Sequence, residues 1–164
     1  VKQLHTLSLL ATACLAVAAC TPSNTRPGSS VPTAVKAGQS WVVTRPVVAA
    51  QVLDTCSRDS PAKHAGEVTG YWAPSRADID ALESRLAQLQ PQIAEPGQSG
   101  RQYVGFESNG KRLVYINAFS LPDHSKIDPA REAIRVCDGG AQFWGAVYDP
   151  QDGSFSSIER NGAL

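Results

Sequence analysis

Long apolar runs, basic clusters and paired metal ligands are all missing from this chain of 164 residues. Its longest apolar stretch, Leu7 to Ala19, is interrupted by Ser8 and Thr12 and is too short to cross a hydrocarbon core of roughly 30 Å as a helix. No transmembrane span is therefore expected. Lysine plus arginine equals aspartate plus glutamate at 15 each. No basic run is interleaved with aromatics either, so the electrostatic footprint of a nucleic-acid binder is lacking. Histidine occurs three times without a His-x-x-x-His, and the four cysteines form no Cys-x-x-Cys. A zinc centre needs three or four ligands at usable spacing, so no metal is expected. Gly-x-Ser-x-Gly elbows, Walker-type loops and dinucleotide-binding glycine motifs are missing too, and no cofactor is expected.

What is present begins at the N-terminus. Lys2 and His5 precede the apolar run, and the small residues Ala18 and Ala19 close it. A basic start, a short apolar stretch and small residues are what an export signal needs to enter a translocon and expose an uncrowded peptide bond. The segment Leu15-Ala16-Val17-Ala18-Ala19-Cys20 resembles the lipobox of bacterial lipoproteins. The resemblance implies that residues 1–19 are removed and that Cys20 becomes a diacylglycerated N-terminus. Buried acyl chain contributes about 0.8 kcal/mol per CH₂, so two or three chains would make attachment essentially permanent. Thr21 follows Cys20; for a two-membrane bacterium the resemblance implies that a residue other than Asp there directs the protein to the periplasmic face of the outer membrane. Ordinary cleavage at Ala16-Val17-Ala18 is the alternative, and it leaves Cys20 without a use.

Without residues 1–19 the chain keeps 145 residues and loses only one charge, Lys2, for a net of −1. That length suits one domain. Residues 20–40 form the lipidated N-terminus and a tether, because Pro22, Pro27, Pro32, Gly28 and Gly38 interrupt any periodicity. Such a segment has an r.m.s. reach of roughly 25 Å. Residues 41–164 form the domain. Two of the four cysteines are accounted for, Cys14 by the leader and Cys20 by lipid. The remaining Cys56 and Cys137 read as one disulfide in an oxidising compartment, with a loop-closure stabilisation of roughly 4 to 5 kcal/mol. A catalytic thiol is the competing reading. It has Arg58 near Cys56 in its favour and Asp138 beside Cys137 against it.

Trp41 to Val48 and Ala50 to Leu53 are rich in valine and read as strands, with Pro46 marking an edge or a break. Ser75 and Asp78 predict a capping box. Ile79, Leu82, Leu86 and Leu89 follow at helical spacing up to Pro91, with Ile93 in the next turn. Ser108-Asn109-Gly110-Lys111 is a two-residue hairpin turn. Its register pairs Glu107 with Arg112, Phe106 with Leu113, Gly105 with Val114, Val104 with Tyr115 and Tyr103 with Ile116. These pairs are apolar on both faces, so something besides the helix must cover the second face: loop, N-terminal segment or partner. A second hairpin runs from Gln142 to Tyr148, turns through Asp149-Pro150-Gln151-Asp152-Gly153 and returns from Ser154 to Glu159. Ile134 and Val136 suit a short strand. The expected fold class is α+β, one amphipathic helix on a mostly antiparallel sheet of four to five strands with one disulfide, in two layers.

Function is harder to read. His64 and His124 lie in polar loops, and Asp123-His124 could be an acid-base pair only beside a nucleophile. Asp149 to Gly153 lacks the remaining oxygens of a calcium loop, and every residue there has a turn role. Asp138-Gly139-Gly140 allows either close approach of a ligand or a bend. Tyr71, Trp72, Tyr103, Tyr115, Phe143, Trp144 and Tyr148 are many aromatics for a small sheet. Tyr71, Trp72, Trp144 and Asp138 are the candidate binding surface, and the remaining aromatics suit the core. The expectation is a periplasmic protein-binding module without catalysis. In size and architecture it looks like small exported inhibitor or immunity lipoproteins. Competing readings are an envelope hydrolase using Asp123, His124 and Asp138, and a structural lipoprotein of an envelope or secretion complex.

Overall fold

The computed structural model describes residues 38–122 and 125–162. Cys20, most of the tether, and Asp123 and His124 lie outside the described residues. Among the described residues there are two α-helices and six strands: β1 (Ser40–Val42), α1 (Pro46–Leu53), β2 (Gly70–Trp72), α2 (Arg76–Glu83), β3 (Gly100–Ser108), β4 (Lys111–Phe119), β5 (Trp144–Asp149) and β6 (Ser154–Arg160). The class is α+β, with one helix and at least one strand more than expected. All strands form one sheet in the order β1-β3-β4-β5-β6, with β2 also paired to β3. Only β1 is parallel to its neighbour.

The β3–β4 hairpin follows from its turn. Asn109 and Gly110 take φ of 49° and 75°, the left-handed pair that matches the twist of adjoining strands. The expected register holds at every pair from Glu107–Arg112 to Tyr103–Ile116. In the β5–β6 hairpin, Gly153 takes φ 74° and its N–H donates to the Asp149 carbonyl at 2.8 Å. β6 carries a bulge opposite Ala146, and there Ser157 adopts φ 47°.

One sheet face is covered by α2. Ser75 caps it in both directions, its hydroxyl accepting from the Asp78 N–H while the Asp78 carboxylate accepts from the Ser75 N–H. The helix stops at Glu83 rather than running to Pro91. The Ser84 hydroxyl donates to the Ala81 carbonyl at 2.7 Å, and the Arg85 N–H bonds Leu82, three residues back. Local competition of this kind turns the backbone out of the α ladder, and Leu86–Leu89 continues as a 3₁₀ turn. The apolar stripe survives the change. Ile79, Leu82, Leu86, Leu89 and Ile93 are all buried with Tyr103, Ile116, Trp144 and Tyr148.

The other face corrects an expectation. Pro46 to Leu53 is a helix and not a strand. Proline opens it, where its missing N–H costs nothing and its fixed φ suits the first turn. Val48, Ala49, Val52 and Leu53 then fall on one side and are buried against Val104, Phe106, Tyr115 and Val147. The second cover is therefore the N-terminal segment, and the sheet lies between two helical layers instead of one.

The disulfide between Cys56 and Cys137 is formed, with Cα atoms 4.9 Å apart across 81 residues of sequence. It joins the end of the α1 segment to the irregular stretch before β5. Ile134 and Val136 make no strand. The Ile134 N–H donates to Gln102 Oε1 at 3.0 Å, its carbonyl accepts from Asn117 Nδ2 at 2.9 Å, and Val136 accepts from Asn161 Nδ2. Buried amide side chains supply the partners that a neighbouring strand would otherwise provide, which satisfies the backbone without a ladder. Gly38 is already tied to Gln98, so the chain enters the fold slightly before residue 41.

Candidate functional site

Among the described residues, three places bring chemistry-bearing side chains together. The first is interior. Arg58, only 4% exposed, donates from Nε to the Tyr115 hydroxyl at 3.0 Å, from one terminal nitrogen to Asn161 Oδ1 at 2.6 Å, and from the other to Asn117 Oδ1. Its bonded partners are neutral oxygens. No carboxylate of the described residues forms an ion pair with it. Gly145 makes the room: a Cβ there would lie 2.3 Å from the Tyr115 oxygen and 2.7 Å from Arg58 Nε. Asn117 passes the chain of bonds on to Gln102 Oε1 at 3.0 Å. This is a specifying polar network of the interior, high in cost if broken.

Above Tyr115 lies the second place, a cavity of about 230 Å³ lined by Asp59, Ser60, His64, Glu67 and Ser157 among others. His64 Nε2 sits 3.0 Å from both Asp59 carboxylate oxygens. That hydrogen bond raises the His64 pKa above its ordinary value and lowers that of Asp59. Both side chains are 57% exposed, so solvent screens the pair. Burial pushes the Tyr115 phenol up, which keeps it neutral beneath the cavity. Ser157, aimed by its bulge, lines the same space. No hydrogen bond joins it to His64 among the described contacts.

The third place is a larger cavity, about 390 Å³, at the sheet end where β3 begins and β4 ends. Ser99, Ser120, Gln142, Trp144 and Arg160 meet there with the Ile93–Gln98 loop. Trp144 Nε1 donates to Ser99 Oγ at 3.1 Å, which fixes the indole as part of the floor. Behind this wall, Arg101 is 3% exposed and donates 3.0 Å bonds to both Glu83 oxygens, while the Tyr103 hydroxyl donates to Glu83 at 2.6 Å. The charge is matched on the spot, so the end of α2 is locked to β3.

The four candidate surface residues do not form one patch. Trp144 is 1% exposed and is a core residue, because its strand position faces α2. Trp72 is half-buried; its indole N–H donates to the carbonyls of Phe106 and Leu113, and Arg112 lies over its ring at 5.8 Å. Only Tyr71, at 38%, is exposed among the aromatics. It pairs with Phe106 and so belongs to the α1 side, where Val47 of α1 is 70% exposed. Asp138 is exposed at the disulfide, and its carbonyl accepts from Asn161. The glycine pair beside it serves as a bend, Gly139 and Gly140 taking φ of 114° and 66° into the loop that lines the larger cavity.

Sequence reasoning had Arg58 only as a basic neighbour of Cys56 and missed Asn117 and Asn161. The one local cue was position, since Arg58 stands two residues from Cys56. Among the described residues there is no group of three or more potential metal ligands and no helix long and apolar enough to cross a membrane. No protein-family model, curated protein or solved structure matches this chain.

Proposed function

We propose that this chain is an exported lipoprotein, held through Cys20 on the periplasmic face of the outer membrane, whose domain works as a non-catalytic protein-binding module. In its sharper form it is an inhibitor or immunity protein that shields its cell from an envelope-acting enzyme or toxin. The export part is supported by the lipobox resemblance and by the Cys56–Cys137 bridge, which belongs to an oxidising compartment. The binding part is carried by one observation. Val47 and Tyr71 are the two large hydrophobic residues left exposed among those described, and both lie on the α1 side of the sheet. An exposed tyrosine is the kind of anchor that interface centres use. Capture from membranes in mild detergent tests this: one stoichiometric partner is expected, retained by the wild-type chain and lost by a folded Tyr71→Ala variant. Attachment is tested separately, since Cys20→Ala should abolish lipidation and release the protein from membranes.

A second reading, envelope hydrolysis, rests on Asp59, His64 and Ser157 lining one cavity. It moves the hydrolase away from Asp123, His124 and Asp138. The binding reading is preferred because, among the described contacts, no hydrogen bond joins Ser157 to His64 as a nucleophile needs. Labelling of Ser157 by a fluorophosphonate, lost in His64→Ala, would reverse that preference.

A further inference from the structure

The larger cavity combines a polar rim with an apolar wall. Five polar side chains border it, Glu95, Gln98, Ser120, Gln142 and Arg160, and none of them makes a side-chain hydrogen bond or ion pair with another described residue. Below the polar rim the exposed apolar wall is Ala94 and Ala141, backed by the buried Ile93 and Trp144, whose indole N–H is engaged by Ser99. The volume, about 390 Å³, lies in the range of small-ligand sites, roughly 300 to 1,000 Å³.

From this arrangement we infer that the cavity binds a neutral saccharide. One carboxylate and one guanidinium give the rim no net charge, so neither an anion nor a cation is selected. The two amides supply both donors and acceptors, and the hydroxyl supplies either. The carboxylate and the guanidinium each accept or donate in pairs with planar geometry, which matches two neighbouring hydroxyls on a ring. A sugar ring carries its hydroxyls at the periphery and C–H groups on its faces, so its edge meets the rim while a face rests on Ala94 and Ala141. The site lies apart from Tyr71, and a glycan ligand there adds to the protein-binding reading without depending on it.

The test is a titration of the full chain in detergent, followed by ¹H–¹⁵N spectra. The probes are an N-acetylglucosamine trimer, maltotriose and an uncharged Gly-Ser tripeptide. Saturable shifts are expected with a trisaccharide at the side-chain amides of Gln98 and Gln142 and at the Trp144 indole N–H. Arg160→Ala and Gln142→Ala, both surface changes, should each weaken binding about tenfold, as expected for loss of a hydrogen bond with a charged or bidentate partner. Three results overturn the inference: no shift with either sugar at millimolar concentration, saturation by the tripeptide alone, or undiminished sugar binding in both variants. Partner capture by the Tyr71 side reads out independently, so either result can fail while the other stands.

Discussion

Replacing Arg58 probes the interior network most sharply. The guanidinium is 4% exposed and gives hydrogen bonds to Tyr115, Asn117 and Asn161. In Arg58→Met the volume is largely kept, but three oxygens lose their donor. Asn117 and Asn161 cannot compensate by flipping, because their nitrogens already serve Gln102, Ile134 and Val136. Each stranded acceptor costs about 1 to 3 kcal/mol. Relief of the buried cation offsets part of this, since charge burial is itself expensive. The net loss should be about 3 kcal/mol, or a fall in Tm of about 10 °C for a domain of this size. Arg58→Lys restores the charge without the fork and should recover less than half. Urea unfolding at neutral pH measures both. Stability of Arg58→Met within about 0.5 kcal/mol of wild type, the range of a neutral surface change, would refute the reading of this network as costly to break.

Further outcomes follow from the same geometry. The double change Cys56→Ser with Cys137→Ser opens a loop of 81 residues and should lower stability by up to about 4 to 5 kcal/mol in chemical unfolding, the chain-entropy bound. Gly145→Ala places a carbon 2.3 Å from the Tyr115 oxygen, and overpacking of this kind costs about 1 to 3 kcal/mol, read as a lower urea midpoint. The Asp59–His64 pair sets a pH window. Its His64 part is fully present below the ordinary value of 6.5 and fades as pH rises through the raised one; its Asp59 part is present above 3.8 and is lost as pH falls through the lowered one. In Asp59→Asn the His64 resonance should titrate closer to 6.5, and an unchanged midpoint would show that the pair does not form in solution.

Legibility followed the range of the interactions. The hairpin at Asn109-Gly110 and the cap at Ser75 were readable because turn and cap chemistry is local, confined to a few residues whose φ values or hydrogen bonds are set by type. The segment Pro46 to Leu53 was misread because its valines favour strands, although a proline followed by Val48, Ala49, Val52 and Leu53 carries the helical spacing and a proper start. Here burial against Val104 and Phe106 outweighed local propensity. Ser84 shortened α2 by a bond no periodicity reveals. The Arg58 network spans 57, 59 and 103 residues of sequence, and arginine is almost never fully buried, so nothing local announced it. Trp144 was placed on the surface by its type, whereas its strand position turned it to the core.

Capture of a partner from native membranes tests the central claim most directly. The account predicts one stoichiometric protein recovered with the wild-type chain, absent with Tyr71→Ala, and absent from membrane fractions when Cys20→Ala releases the bait. Recovery of no partner, together with turnover of an envelope substrate that disappears in Ser157→Ala and His64→Ala, would contradict it and establish an enzyme in its place.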